Sequence, residues 1–369
     1  LSDLFDRRFT LKIERLPRGR RVQVTAAGLL SGDSRQIRGA RNTAATPKPG
    51  CTFARSSVHR SRPINDNRVS GCAVTMVPVS PLGDTGIYVP RLGLGCQPLG
   101  LPEMHEDDVG RLLDTALEAG VNLLDTAPAY GLSEERLGRH LAGRRDDVIL
   151  VTKLGYGVPG CPDWTGECIR RGVDLALERL QTDYLDIALL HSCGLETLEQ
   201  SEVVEALEKA RAQGKLRLAG YSGENDALQF AIASGAFQVI ETSVNFLDQA
   251  GLDGAVKQAG LAGLGVLAKR PLANAVWRHR VTGDEAVEEY RRRYEELRPC
   301  FGGPINWPDS ALRFAAFAPN VHCAIIGTGN VEHLRSAIAA VAKGPLPYDL
   351  DQNLREVWRG NSDGWGGVI

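Results

Sequence analysis

Four residues whose types could together donate a proton stand within one stretch of the chain. Asp125, Tyr130, Lys153 and His191 span 67 residues and sit at or just past the ends of short apolar runs, VNLLDTAPAYG, DVILVTK and YLDIALLH. A phenol titrates near pH ~10 in water, too high for an efficient acid at neutral pH. A nearby ammonium stabilises the phenolate and lowers that value. A carboxylate beside the ammonium holds it in place and keeps it charged, and a neutral imidazole can orient a substrate oxygen. The set suits protonation of a carbonyl oxygen on its way to alkoxide. No side chain delivers hydride, so a reductive reaction needs a cofactor. Taken singly, each residue has an ordinary reading as a strand-end charge, a turn cap or loop packing; their joint placement is what points to chemistry.

The elements that must position them follow one pattern. After a short hairpin from Val77 to Val89, turning near Gly83 and Asp84, strands are expected at Leu92–Cys96, Asn122–Asp125, Val148–Thr152, Leu185–Leu190, Lys215–Gly220, Val239–Ser243, Gly265–Ala268 and His322–Ile326. Helical patterns lie at His105–Ala119, Ser133–Ala142, Thr165–Leu180, Leu198–Gln213, Asn225–Ser234, Gly251–Gln258, Asp309–Phe317 and Val331–Val341. Ser133 and Thr165 are candidate N-caps, and Gly120, Gly214 and Gly235 stand where helices should stop. Runs such as IALL and VILV are apolar on both faces, as strands covered by helices must be. Eight strand–helix units predict an α/β chain closed as a (β/α)8 TIM barrel, whose C-terminal strand ends share one mouth. An open doubly wound sheet would carry a glycine-rich loop after its first strand; Gly-Leu-Gly-Cys-Gln-Pro is a poor match. The irregular stretch from Arg270 to Pro308, with a helical piece at Asp284–Leu297, is expected to wall the mouth.

Composition agrees with a globular protein. The net charge is −2 and the apolar content 43%, and no apolar run reaches the ~18 residues of a membrane helix. Eight scattered cysteines without a Cys-x-x-Cys pair read as reduced thiols of a cytoplasmic protein. No metal site is expected, since ligand spacing is absent; Cys96, near the mouth, is a candidate for oxidation. Charge is uneven along the chain: residues 1–75 hold 13 Arg and 2 Lys against 5 acidic residues, a net of +10 that leaves −12 for the rest. That segment lacks an apolar period and is expected to be a disordered basic extension, either upstream of a natural start at Met76, or an organelle transit peptide, or a nucleic-acid arm. The last lacks aromatic interleaving, so neither nucleic acid nor membrane is an expected partner. Residues 76–369 are expected to form the barrel.

At these residues the sequence resembles the aldo-keto reductase superfamily. GVNLLDTAPAYGLSEERLG at 120–138 is similar to that family's stretch around its aspartate and tyrosine, VTK at 151–153 to its lysine strand, LLH at 189–191 to its histidine strand, GKLRLAGYS at 214–222 to its fifth strand, and IIGTGNVEHL at 325–334 to its late cofactor loop. The resemblance implies carbonyl reduction with NADPH, or with NADH, on a small-molecule substrate, by a monomer or weak oligomer. It implies that Tyr130 is the acid, Lys153 tunes it, Asp125 pairs with Lys153 and His191 orients the carbonyl. Carried over by position, Ser222, Glu241 and Asn245 would meet the nicotinamide, where the family more often has glutamine at 241 and asparagine at Gly223, and where Val244 replaces an aromatic residue. Lys269, Arg270, Pro271 and Leu272 would line the pyrophosphate, and Gly327, Thr328 and Asn330 would cradle a phosphate at a helix N-terminus. His333, with Arg335, would meet a 2′-phosphate. Two rivals are a non-catalytic NADPH-binding regulatory protein on the same barrel and a barrel lyase or isomerase that works without nicotinamide.

Overall fold

The computed structural model describes residues 75–278 and 283–369. The expected basic extension therefore lies, apart from Thr75, outside the described residues. The chain opens with an antiparallel pair, β1 (Val79–Pro81) and β2 (Tyr88–Pro90), and then alternates between strands and helices. The strands are β3 (Leu92–Gly95), β4 (Leu123–Asp125), β5 (Ile149–Leu154), β6 (Leu185–His191), β7 (Leu216–Ser222), β8 (Val239–Ser243), β9 (Gly265–Lys269) and β10 (Cys323–Gly327). They pair in parallel in chain order, and β10 closes on β3 to complete an eight-stranded barrel. Each lies within two residues of its expected bounds.

The helices are α1 (Glu106–Glu118), α2 (Ser133–His140), α3 (Gly166–Leu180), α4 (Leu195–Glu199), α5 (Glu202–Ala212), α6 (Asn225–Ser234), α7 (Ala255–Leu261), α8 (Glu285–Leu297), α9 (Trp307–Ala316), α10 (Val331–Ala342) and α11 (Tyr348–Asn361). Thr165 caps α3 through the Cys168 N–H, and Gly120, Gly214 and Gly235 take the left-handed conformation just past their helices. Three expectations need correction. Leu198–Gln213 is two helices, because Ser201 sits in the left-handed region at φ 60 and breaks the run. The helix expected at Gly251–Gln258 starts later, at Ala255, after a turn through Gly251 and Gly254. Ser133 is no N-cap: it is the first residue of α2, and its buried hydroxyl donates to the Cys96 carbonyl while accepting from Thr126.

Two apolar cores follow from strand alternation. Outward residues of the strands pack against the helices in one large core. Inward residues form a second, in which Leu123, Val151, Ile187, Leu189, Val239 and Leu267 meet Leu82, Ile87 and Val89 of the hairpin. The hairpin is thus a plug. It is fastened at the N-terminal strand ends, where the Asp84 N–H donates to the Gly263 carbonyl at 2.8 Å and Leu82 lies against the start of β9 at Gly265. Leu82 is completely buried. Leu82→Ala should therefore open a cavity in the barrel floor and lower stability by about 2–5 kcal/mol; urea denaturation of the two proteins measures it.

Candidate active site

The inward alternation that fills the barrel floor also builds its mouth. Two residues beyond Leu123, Val151, Leu189, Val239 and Leu267 stand Asp125, Lys153, His191, Glu241 and Lys269, on the same face of their strands. Register sets them side by side: His191 opposite Ser222, and Ser222 opposite Glu241. Apolar side chains below and polar ones above are what a barrel with its site at the C-terminal strand ends requires.

Lys153 is 2% exposed and is the hub. Its Nζ is ion-paired with Asp125 Oδ1, lies 3.4 Å from the Thr126 carbonyl oxygen, and stands 3.7 Å from Glu241 Oε1. Burial pulls its pKa down, but Asp125 and Glu241 outweigh that and hold it above the usual lysine range. Burial, and then the charge of Glu241, push Asp125 up to about 7 against the pull of Lys153. Glu241 accepts from the Ser222 hydroxyl at 2.9 Å through Oε1, while its other oxygen, Oε2, is buried without a hydrogen-bond partner.

Tyr130 stands over this pair. The ammonium of Lys153 lies 5.4 Å from its ring centroid, and the ring meets that of His191 edge-on with centroids 6.3 Å apart. Lys153 does not bring the phenol into the neutral range: burial pushes Tyr130 up to about 12, and the ammonium opposes this only in part. The loop that carries Tyr130 is held by its neighbour. The Leu132 N–H donates to the Gly100 carbonyl, and Gly100 approaches Tyr130 so closely that a Cβ there would fall 1.4 Å from the Tyr130 carbonyl oxygen. Arg136, buried in α2, fastens the same neighbour by donating to the carbonyls of Leu99, Leu101 and Met104.

His191 has a partner that the sequence did not reveal. The hydroxyl of Tyr156, two residues past β5, lies 2.9 Å from His191 Nδ1, and its ring stacks on the imidazole, centroids 5.4 Å apart. Burial, and then the positive charge of Lys153, lower the His191 pKa to about 4.

The remaining predicted residues separate into groups. Lys269 lies 3.3 Å from Glu224, a buried acid that sequence reasoning passed over. Arg270, at φ 52, opens a loop in which Ala273, Asn274 and Ala275 are also left-handed, strained conformations that cluster at functional sites. Its guanidinium donates to the Val368 carbonyl at 2.8 Å. Pro271 is buried and Leu272 half-buried in that loop. Asn245 is fully buried, with its amide donating to the Arg270 carbonyl and its oxygen accepting from the Leu247 N–H, so it shapes the loop. Val368 and Gly367 also bond to Asp248 and Asn225, which draws the C-terminal tail across the ends of β7, β8 and β9.

At the start of α10, Thr328 accepts from the Asn330 N–H, and Asn330 in turn accepts from the Glu332 and His333 N–H groups; Gly327 and His333 are exposed. Arg335 is paired with Glu332. Trp277, Phe301 and Trp307, expected along the mouth loops, pack with Phe246, which Trp307 stacks on at 4.3 Å. Cys96 is buried, and burial pushes its thiol well up, which disfavours the thiolate that oxidation requires. Among the described residues no cluster of three or more His, Cys, Asp or Glu could hold a metal, and no helix is long and apolar enough to cross a membrane.

Two expectations follow. Lys153→Met should leave Asp125 and Glu241 buried without the cation that lies against them and cost about 3–5 kcal/mol of stability, read from the shift in a denaturation midpoint. The His191 ring should show no titration from pH 8 to pH 5 by nitrogen-15 NMR. Because its native pKa lies below the ordinary 6.5, the unfolded chain takes up a proton first as pH falls, and this residue's contribution to stability is lost from about pH 6.5 down to its native value.

Comparison with known proteins places this architecture among relatives. The model of the Aldo/keto reductase family matches residues 91–359. The chain is 28% identical over 292 residues to L-galactose dehydrogenase of Arabidopsis thaliana, covering 73% of this chain and 90% of that protein. It is 31% identical over 194 residues to an NADH-specific methylglyoxal reductase of Escherichia coli, covering 46% and 60%. The solved holo structure of an aldo-keto reductase from Bacillus halodurans superposes with a TM-score of 0.67 at 26% identity, over 76% of this chain and 96% of that one.

Proposed function

The chain belongs to the aldo/keto reductase family, and from that premise we propose that it reduces an aldehyde or ketone to the alcohol with hydride from bound NADPH, or NADH, and a proton from Tyr130. The observation that carries this reading is the meeting of the Tyr130 ring, the Lys153 ammonium and the His191 ring at one barrel mouth. The nicotinamide supplies the hydride when bound; the remaining work falls to side chains.

Tyr130 is firmly protonated at rest, as an acid must be. As the carbonyl oxygen gains negative charge its proton affinity rises, and the Lys153 ammonium stabilises the phenolate left behind. Asp125 keeps that ammonium in place. His191, neutral at physiological pH, orients the carbonyl oxygen by a hydrogen bond. If the Tyr156 hydroxyl, 2.9 Å from Nδ1, donates to it, the ring proton sits on Nε2 and the imidazole becomes a donor.

The residues present fit a nicotinamide cofactor. The unpartnered Oε2 of Glu241 suits an amide N–H, and Ser222 beside it offers a hydroxyl. In this reading Asn245 supports the loop of Lys269, Arg270, Pro271 and Leu272 along the pyrophosphate, and Gly327, Thr328, Asn330 and His333 meet the adenosine end. His333 and Arg335 favour NADPH. The relatives named for L-galactose and methylglyoxal suggest a small polar carbonyl compound as substrate. Residues 76–369 are the proposed working unit, a cytoplasmic monomer or weak oligomer.

Tyr130→Phe should lower turnover of a carbonyl substrate by about 10²–10⁴-fold while leaving NADPH binding, followed by quenching of tryptophan fluorescence, within a few fold. Turnover near that of the unmodified protein would refute the assigned acid.

A further inference from the structure

The charges at the mouth do not balance. Lys269 is ion-paired with Glu224 and acts on Asp125 and Glu241 only from a greater distance, whereas Lys153 lies against both, so two cations serve three carboxylates. The other titratable groups nearby supply no compensating cation. Tyr130 is a neutral phenol and His191 a neutral imidazole, and burial keeps the Cys96 and Cys323 thiols protonated. The uncompensated atom can be named: Glu241 is 1% exposed, and its Oε2 has no partner. A buried carboxylate oxygen without a donor or a cation is costly, and it persists where something else completes it.

We propose that Glu241 selects the redox form of the cofactor, so that the site binds the oxidised, cationic nicotinamide more tightly than the reduced, neutral one. The inference rests on the cofactor reading given above and goes beyond it. The glutamine more usual at this position would offer the same hydrogen-bonding oxygen without the charge. Hydride transfer turns a neutral ring into a cation beside Glu241, so a carboxylate there makes the bound reduced cofactor a stronger reductant; a tenfold preference corresponds to ~30 mV for a two-electron couple. Until the cation arrives, Asp125 is the group that holds a proton more readily than an isolated carboxylate, raised by burial and by the charge of Glu241, while Lys153 holds Glu241 itself below its usual range. Arrival of the cation releases that proton.

The test is isothermal titration of the full chain and of Glu241→Gln with NADP+, NADPH, NAD+ and NADH. In the variant, the ratio of oxidised to reduced Kd should rise about tenfold. A ratio unchanged within twofold, with both forms still bound, overturns the inference and leaves the cofactor reading standing. Loss of all nucleotide binding in the unmodified protein overturns both, and is recognised as a missing signal rather than an unchanged ratio. If the variant does not fold, the unmodified protein decides alone: in two buffers of different ionisation heat near pH 7, the oxidised form should release more protons than the reduced form. Equal release overturns the proposal.

Discussion

The buried ion pair between Lys153 and Asp125 is the constraint that the mouth is arranged around. An ammonium at 2% exposure survives only where carboxylates and carbonyls replace the water it has lost. Those partners come from the end of β4 and from β8, so Lys153 on β5 ties together three strands far apart in sequence. Its demands also reach upward. Burial keeps the imidazole neutral and the phenol protonated, and the charge of Lys153 adds to the first effect and opposes the second. One cation thereby acts in opposite senses on two rings that meet edge-on.

That cation is delivered by nothing more elaborate than alternation along a strand. Val151 and Lys153 point the same way because side chains repeat every second residue. Below, the inward positions are apolar and meet the hairpin plug; one layer higher they are polar and meet the mouth. A slip of one residue in β5 would send Lys153 outward among the helices. The plug and the site are therefore consequences of the same register, with Leu82 securing one end of the barrel and Asp125 the other.

Much of this was legible in the sequence, for physical reasons that can be named. Each strand run is bounded by glycines or helix patterns, so the eight repeats and their order could be read directly, and the place of Asp125, Lys153 and His191 at the ends of those runs singled them out. What could not be read depends on contacts between loops. Tyr156 reaches His191 only because the turn after β5 folds back, and no periodicity encodes that. Ser133 has the composition of a cap, yet packing of α2 against the loop after β3 buries its hydroxyl one position inside the helix. Asn245 and Arg270 each also donate to a backbone carbonyl, of the loop and of the tail respectively, contacts that no sequence pattern announces. The downward pull expected of Lys153 on Tyr130 was right in sign but smaller than the effect of burial, which only the folded chain reveals.

The close approach of Gly100 to the backbone of Tyr130 has a bearing on how such a site can change over time. The ring of Tyr130 is held in place by a missing methyl group thirty residues away, on a loop that makes no chemistry of its own. Substitution there would displace the acid without touching any polar atom of the site, so position 100 is closed to drift even though it contributes neither charge nor hydrogen-bonding side chain. The mouth can vary its walls while the distance between these two loops stays fixed; inheritance of the site is enforced as strictly by an empty volume as by the polar residues around it.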